Sequence, residues 1–199
     1  MAWDPQHKAR SRQRILRTAA QLFALHGYEK VSIDQVMQEA GMTRGAFYAH
    51  FKAKNELYAE AILEAASAAG GKRPQDPCSR DQLIARYLSK EHLEGEQLHC
   101  PLAFLVSDIA QRDDQVRDTW TRVFRGLVNL VRREDEQDET GLNSALQRVA
   151  LMVGGVAIAR ALNDDALAQK LLESCRDGAM PATDRRETGD SRPNLSRRQ

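Results

Sequence analysis

Residues 32–54 read SIDQVMQEAGMTRGAFYAHFKAK, and this stretch decides the fold. Ser32 stands where a helix N-cap belongs, ahead of Ile33, Val36, Met37 and Ala40 at helical spacing. Gly41 stops that helix, and Thr43 can cap a second, very short one. In the second helix Phe47 and Phe51 stand four apart and share a buried face. Arg44, Tyr48 and His50 then fall on faces that a core cannot use. Two short helices joined by a glycine turn, the second presenting such side chains, form the arrangement that lays one helix in the DNA major groove.

The chain on either side is patterned for helix. Between Lys8 and His26, Ile15, Ala19, Leu22 and Phe23 share one face, while Arg10, Arg14 and Arg17 stay wet, and Gly27 ends the segment. Three helices around one small core therefore account for residues 8–52. Asn55 reads as the N-cap of a helix from Glu56 to Ala69, which ends at Gly70-Gly71. The loop GKRPQDPC at 71–78 marks a boundary, and Ser79 opens a helix to about His92. Pro101 belongs in the first turn of a helix running through Ile109. A long amphipathic helix from Asp114 to Arg133 carries Val116, Trp120, Val123, Leu127 and Leu130 on one side. The run REDEQDET at 133–140 reads as a solvated loop, and helices follow over Leu142–Leu162 and Asp164–Cys175. There is no strand pattern and no repeat. The predicted class is all-α, with about nine helices. A DNA-binding head spans 8–54, a helical body 55–178, and a polar tail at 179–199 reads as disordered.

The charge distribution favours this division. Residues 1–54 hold nine Lys and Arg against four Asp and Glu, a net of +5. The remaining residues hold 20 against 24. A basic head on an acidic body suits a polyanion held at one end. No apolar run reaches the length of a membrane span and no secretory leader is evident, so the expectation is a cytoplasmic protein without a membrane partner. Cys78, Cys100 and Cys175 are an odd number without framework spacing, which argues against a disulfide scaffold. No nucleophile elbow, phosphate loop or zinc helix is present, so no catalytic residue is assigned and the chain is not read as an enzyme. No cofactor is expected. Neither a Cys-x-x-Cys nor a His-x-x-x-His pair occurs, so no metal ligand is assigned either.

Residues 12–57, RQRILRTAAQLFALHGYEKVSIDQVMQEAGMTRGAFYAHFKAKNEL, resemble the N-terminal domain of the TetR family of bacterial repressors. The resemblance covers both turns. Beyond it the chain matches only in helical organisation. It implies a homodimeric repressor that binds a palindromic double-stranded operator and is released by an effector. Physical chemistry agrees residue by residue. Thr43 offers a hydroxyl beside free helix-terminal N–H groups. Arg44 can fork onto guanine O6 and N7, Gly45 lets the backbone approach the groove floor, and Tyr48 can touch a thymine methyl or a phosphate. His50 and Lys54 match family positions that clamp phosphates. Arg10 and Arg14 are either phosphate contacts or ordinary wet-face charges. The alternative function is a helical interaction module that keeps the head without reading DNA.

For the body, the resemblance implies a ligand pocket and a two-helix dimer face. Met152, Val153, Val156 and Ala157, with Gly154 and Gly155, are the expected dimer surface. Tyr87, Phe104, Trp120 and Phe124 are candidate pocket aromatics, with plain core packing as the alternative. Cys100 directly precedes Pro101, where a helix N-terminus would favour its thiolate, and His99 beside it could lower the pKa further. The segment HCPLA resembles a stretch in a subgroup of the family that includes NemR and responds to electrophiles, except for His99 where the subgroup has glycine. Cys100 is thus either a sensor for an electrophile or oxidant effector, or a small buried hydrophobe.

Overall fold

In the computed structural model, which describes residues 5–69, 79–94, 100–132 and 138–180, the described chain forms eleven helices and no strand. They are α1 (Pro5–Lys30), α2 (Ile33–Glu39), α3 (Arg44–Phe47), α4 (Lys54–Ala69), α5 (Arg80–Tyr87) and α6 (Lys90–Glu94). After these come α7 (Pro101–Phe104), α8 (Val106–Ile109), α9 (Asp114–Val131), α10 (Glu139–Ala161) and α11 (Asp165–Ala179). The boundary loop 71–78 with Cys78, residue His99, most of the acidic run and the tail from 181 lie outside the described residues.

The count exceeds nine because two expected helices are broken. The segment from Ser79 ends as α5 at Tyr87 and restarts as α6 at Lys90. The segment opened by Pro101 breaks at Leu105, whose φ of −115° and ψ of 2° leave the helical basin, giving α7 and α8. The first segment instead runs longer than expected. Helical structure spans Pro5–Lys30 with a kink at Gly27, where φ is 77°. The fourth helix begins at Lys54 rather than Glu56, since Leu57 N–H bonds to the Ala53 carbonyl at 3.2 Å.

Two apolar clusters form the core. The first joins Ile15, Phe23, Met37, Phe47 and Phe51 of the head to Leu57, Tyr58 and Ile62 of α4, and continues to Leu105, Ile109 and Val116. The second gathers Ile84, Leu88, Leu102, Val128, Val149, Met152, Val156 and Leu172. Trp120 and Val123 of α9 pack against both. The head core thus does not stop at residue 54. Helix α4 belongs to head and body alike, and its ion pairs Arg12–Glu60 and Arg17–Glu64, the latter at 3.1 Å, fix α1 along it. Among the described residues, α10 alone is long and apolar enough to cross a membrane. It is a core helix, with Ala145, Val149, Met152 and Val156 fully buried.

Candidate functional site

The helix-turn-helix is built by local bonds. Ser32 Oγ accepts from Gln35 N at 3.1 Å and caps α2. Gly41 turns the chain with φ of 64°, a conformation that suits glycine. Past α3, the amides of His50 and Phe51 both donate to the Phe47 carbonyl at 2.9 Å, which closes the segment tightly. Phe47 and Phe51 are buried with ring centroids 5.6 Å apart, and the Arg12 guanidinium lies 4.9 Å from the Phe51 ring. Each buried ring contributes about 1.5–3 kcal/mol to holding α3 down.

With those anchors inward, Thr43, Arg44, Gly45 and Tyr48 are exposed together. Thr43 occupies the N-cap, but its hydroxyl makes no capping bond. A Cβ built on Gly45 would meet only Thr43 Oγ1, at 4.0 Å. The fold therefore does not need a glycine there, and the missing side chain matters only to something approaching from outside. Tyr48 is 60% exposed, with its ring edge on Phe47 at 5.1 Å. Arg44 pairs with Asp34 at 2.7 Å, both side chains mostly in solvent, so the bond is cheap to exchange for another. Arg10 and Arg14 are exposed on α1, and the Arg14 guanidinium reaches the Gly41 carbonyl at 3.4 Å.

His50 and Lys54 behave differently. Burial, then Lys8 and Arg12, pushes the His50 pKa below its ordinary value, and its buried Nδ1 makes no hydrogen bond. At neutral pH it is not a standing cation. Lys54 is turned inward. Its Nζ donates to the Tyr28 carbonyl at 2.5 Å and lies 4.0 Å from the Tyr28 ring centroid, and burial lowers its pKa. The exposed residues here are Lys52 and Ala53, just before α4, where the Lys52 amide donates to Glu56 Oε2 at 2.6 Å. Asn55, expected as the cap, instead bonds to the Tyr28 hydroxyl and to Asp113.

Tyr28 is also the point where the body grips the head, a feature that sequence reasoning missed. Asp108 of α8 accepts hydrogen bonds from Tyr28 N at 3.2 Å and from the Tyr58 hydroxyl at 2.6 Å. Arg112 pairs with Glu29 at 2.7 Å, lies 3.8 Å from Asp108, and covers the Tyr28 ring at 4.5 Å. From α10, Arg160 donates to the Ala24 carbonyl at 3.0 Å and stacks on Phe104 at 4.1 Å. The end of α1 is thus held to the body from two sides.

The body encloses a cavity of about 480 Å³. Tyr87, Cys100 and Leu102 are its buried floor, and Arg86, Gly126 and Leu130 stand at its exposed rim. Of the expected aromatics only Tyr87 lines it. Phe104 is taken up by Arg160, while Trp120 stacks on Phe124 at 5.6 Å between the two cores. The walls come instead from aliphatic residues such as Leu63, Leu83, Val123 and Leu127, together with His92. Cys100 is buried, as the second of its two readings has it. The helix it precedes has only four residues and offers little dipole, and burial pushes the thiol pKa up. Tyr87 donates its hydroxyl to Cys100 Sγ at 3.3 Å. Among the described residues no cluster of three His, Cys, Asp or Glu could hold a metal.

The expected dimer surface is also corrected. Met152, Val153, Gly155 and Val156 are buried within the protomer, and a Cβ on Gly155 would lie 2.9 Å from Cys175 Sγ. The small residue lets α10 approach α11 of its own chain. Gly154 and Ala157 remain partly exposed, and Ile158 and Leu167, which sequence reasoning did not single out, are 54% and 52% exposed.

Known proteins resemble both halves. The family described as "Bacterial regulatory proteins, tetR family" matches residues 15–61. The HTH-type transcriptional regulator YxaF of Bacillus subtilis (strain 168) is 27% identical over 155 residues, covering 69% of this chain and 81% of that one. AcrR of Shigella flexneri is 42% identical over 55 residues, covering 28% of this chain and 26% of that one. The crystal structure of reduced E. coli NemR shares the fold, with a TM-score of 0.69 at 16% identity over 85% of this chain and 95% of that one.

Proposed function

We propose that this chain, whose residues 15–61 match the tetR family of bacterial regulatory proteins, is a DNA-binding transcriptional regulator rather than an enzyme, acting as a cytoplasmic, homodimeric repressor released from a palindromic operator by a small molecule. The observation that carries the reading is the division within one short segment. Phe47 and Phe51 are buried while Thr43, Arg44, Gly45 and Tyr48 stand exposed beside them. Residues 8–54 serve as the reading head and 55–178 as the regulatory body. Arg44 leaves Asp34 for a guanine edge, Tyr48 lies along the groove wall, and Gly45 admits the backbone close to the bases. Arg10, Arg14 and the α4 N-terminus meet phosphates. His50 joins them as a neutral donor, and Lys54 acts indirectly by fixing Tyr28. Ile158, Leu167, Gly154 and Ala157 form the partner-facing strip, so that two heads reach half-sites about one helical turn apart.

Release is a population shift. A ligand in the cavity presses on Leu102 of α7, α8 follows, and Asp108 carries the displacement to Tyr28 and Tyr58. The heads then lose their spacing. A second reading, release by an electrophile, is supported by Cys100 on the cavity floor. The raised thiol pKa requires that such an electrophile bind in the cavity first, because the ground-state thiolate is scarce. Selecting sites from a random duplex library with the full chain tests the main reading. A two-fold symmetric site whose binding weakens steeply with salt is expected. Recovery of no enriched site would leave the helical interaction module without DNA readout.

A further inference from the structure

We infer that the cavity takes an amphiphilic anion, an apolar body with an acidic head, which enters beside Gly126 and rests its acid on Arg86. The inference rests on reading the cavity as the effector site. Its chemistry is graded from floor to rim. Leu63, Leu83, Leu102, Val123 and Leu127 make most of the interior aliphatic, and on the floor the Tyr87 hydroxyl gives its one proton to the Cys100 thiol, with His92 and Ser67 the other polar lining residues beside the rim arginine. A ligand group reaching the floor finds that hydroxyl proton already taken and mostly aliphatic surroundings, so a charged group there is desolvated with little in return. At the rim, Arg86 in the last turn of α5 is exposed, and among the described residues no carboxylate lines the cavity. An anionic head stays partly hydrated there beside an exposed positive charge, whereas a cationic head meets like charge.

Gly126 is an independent sign that the opening has a use. It lies inside α9, where glycine is a poor helix former, and a Cβ there would meet nothing within 4 Å. Neither backbone nor packing requires a glycine. Its one evident effect is to leave the rim of the cavity open.

Titration of the full-length protein with decanoate, 1-decanol and decylammonium by calorimetry, below their aggregation limits, tests the inference. Decanoate is expected to bind at least about 10-fold more tightly than decylammonium. Arg86→Gln should remove most of that preference and leave 1-decanol unchanged. Gly126→Leu should abolish binding of all three while leaving the melting temperature at or above that of the parent. Equal affinity for the three probes, with Arg86→Gln without effect, would overturn the anionic class but leave the cavity as a ligand site. Undetectable binding of every probe would overturn the cavity reading and this inference with it.

Discussion

Replacing Asp108 by alanine removes the acceptor that joins the body to both α1 and α4. The Tyr58 side chain is fully buried, so its hydroxyl is left without a partner, a loss of about 1–3 kcal/mol. The Tyr28 amide is less buried and adds roughly 0.5–1.5 kcal/mol. Arg112 keeps Glu29 at 2.7 Å and the Tyr28 ring, so its share is small. The expected total is a destabilisation of about 2–4 kcal/mol. Asp108→Asn, which keeps an oxygen acceptor, should lose less. The decisive assay is a double-mutant cycle with Tyr58→Phe, read by urea unfolding of all four proteins. In the double mutant no buried hydroxyl is orphaned, so the losses should fall short of additivity by at least about 1 kcal/mol. Hydrogen exchange gives a local check, since the Tyr28 amide should exchange faster in Asp108→Ala than in the parent. Additivity within about 0.5 kcal/mol, with Tyr28 exchange unchanged, would refute the latch. The Tyr58 pKa is driven far above its ordinary value by burial and then by Asp108, so the hydroxyl stays a donor through neutral pH. Its contribution is complete below the ordinary tyrosine pKa and declines as pH rises beyond it, because the unfolded chain releases the proton first.

Two further outcomes follow from the same geometry. Burial raises the Cys100 pKa, so iodoacetamide should modify Cys100 more slowly than a free thiol at pH 8 and approach parity only at higher pH; fast modification at pH 7 would contradict the buried neutral thiol. Gly27 and Gly126 both have open space at Cβ, but only Gly27 has a positive φ, of 77°. Gly27→Ala should therefore lose about 1–2 kcal/mol of stability and Gly126→Ala should gain roughly 0.5–1 kcal/mol, and unfolding curves that move in the same direction would refute the assignment.

The head was legible because its signals are local. The spacing of Phe47 and Phe51, the turn at Gly41 and the cap at Ser32 act within a few residues, and each appears as the pattern implies. Lys54 was not legible, because its direction is set by the Tyr28 carbonyl 26 residues away. The break at Leu105 interrupts a segment whose opening Pro101 was legible, yet nothing in its neighbours punctuates the chain. In α10 the apolar residues surround much of the helix, so sequence could not tell the stripe facing α11 from the one facing out, and Ile158 was passed over for Met152 and Val156. The cavity is a space left between several helices. No periodicity on any one of them records it, which is why Trp120 and Phe124 were expected where Val123 and Leu127 stand.

The central claim is that Arg44 reads a base from an exposed helix held down by buried phenylalanines. It is tested most directly by comparing the parent and Arg44→Ala on the selected operator and on every single-base variant of one half-site, using fluorescence anisotropy at fixed salt. The account predicts a loss of about 1–3 kcal/mol on the operator, with discrimination relaxed at one guanine position and unfolding stability unchanged within about 0.5 kcal/mol. An equal loss on all sequences would make Arg44 a phosphate contact, and no loss at all would contradict the reading of α3 as the recognition helix.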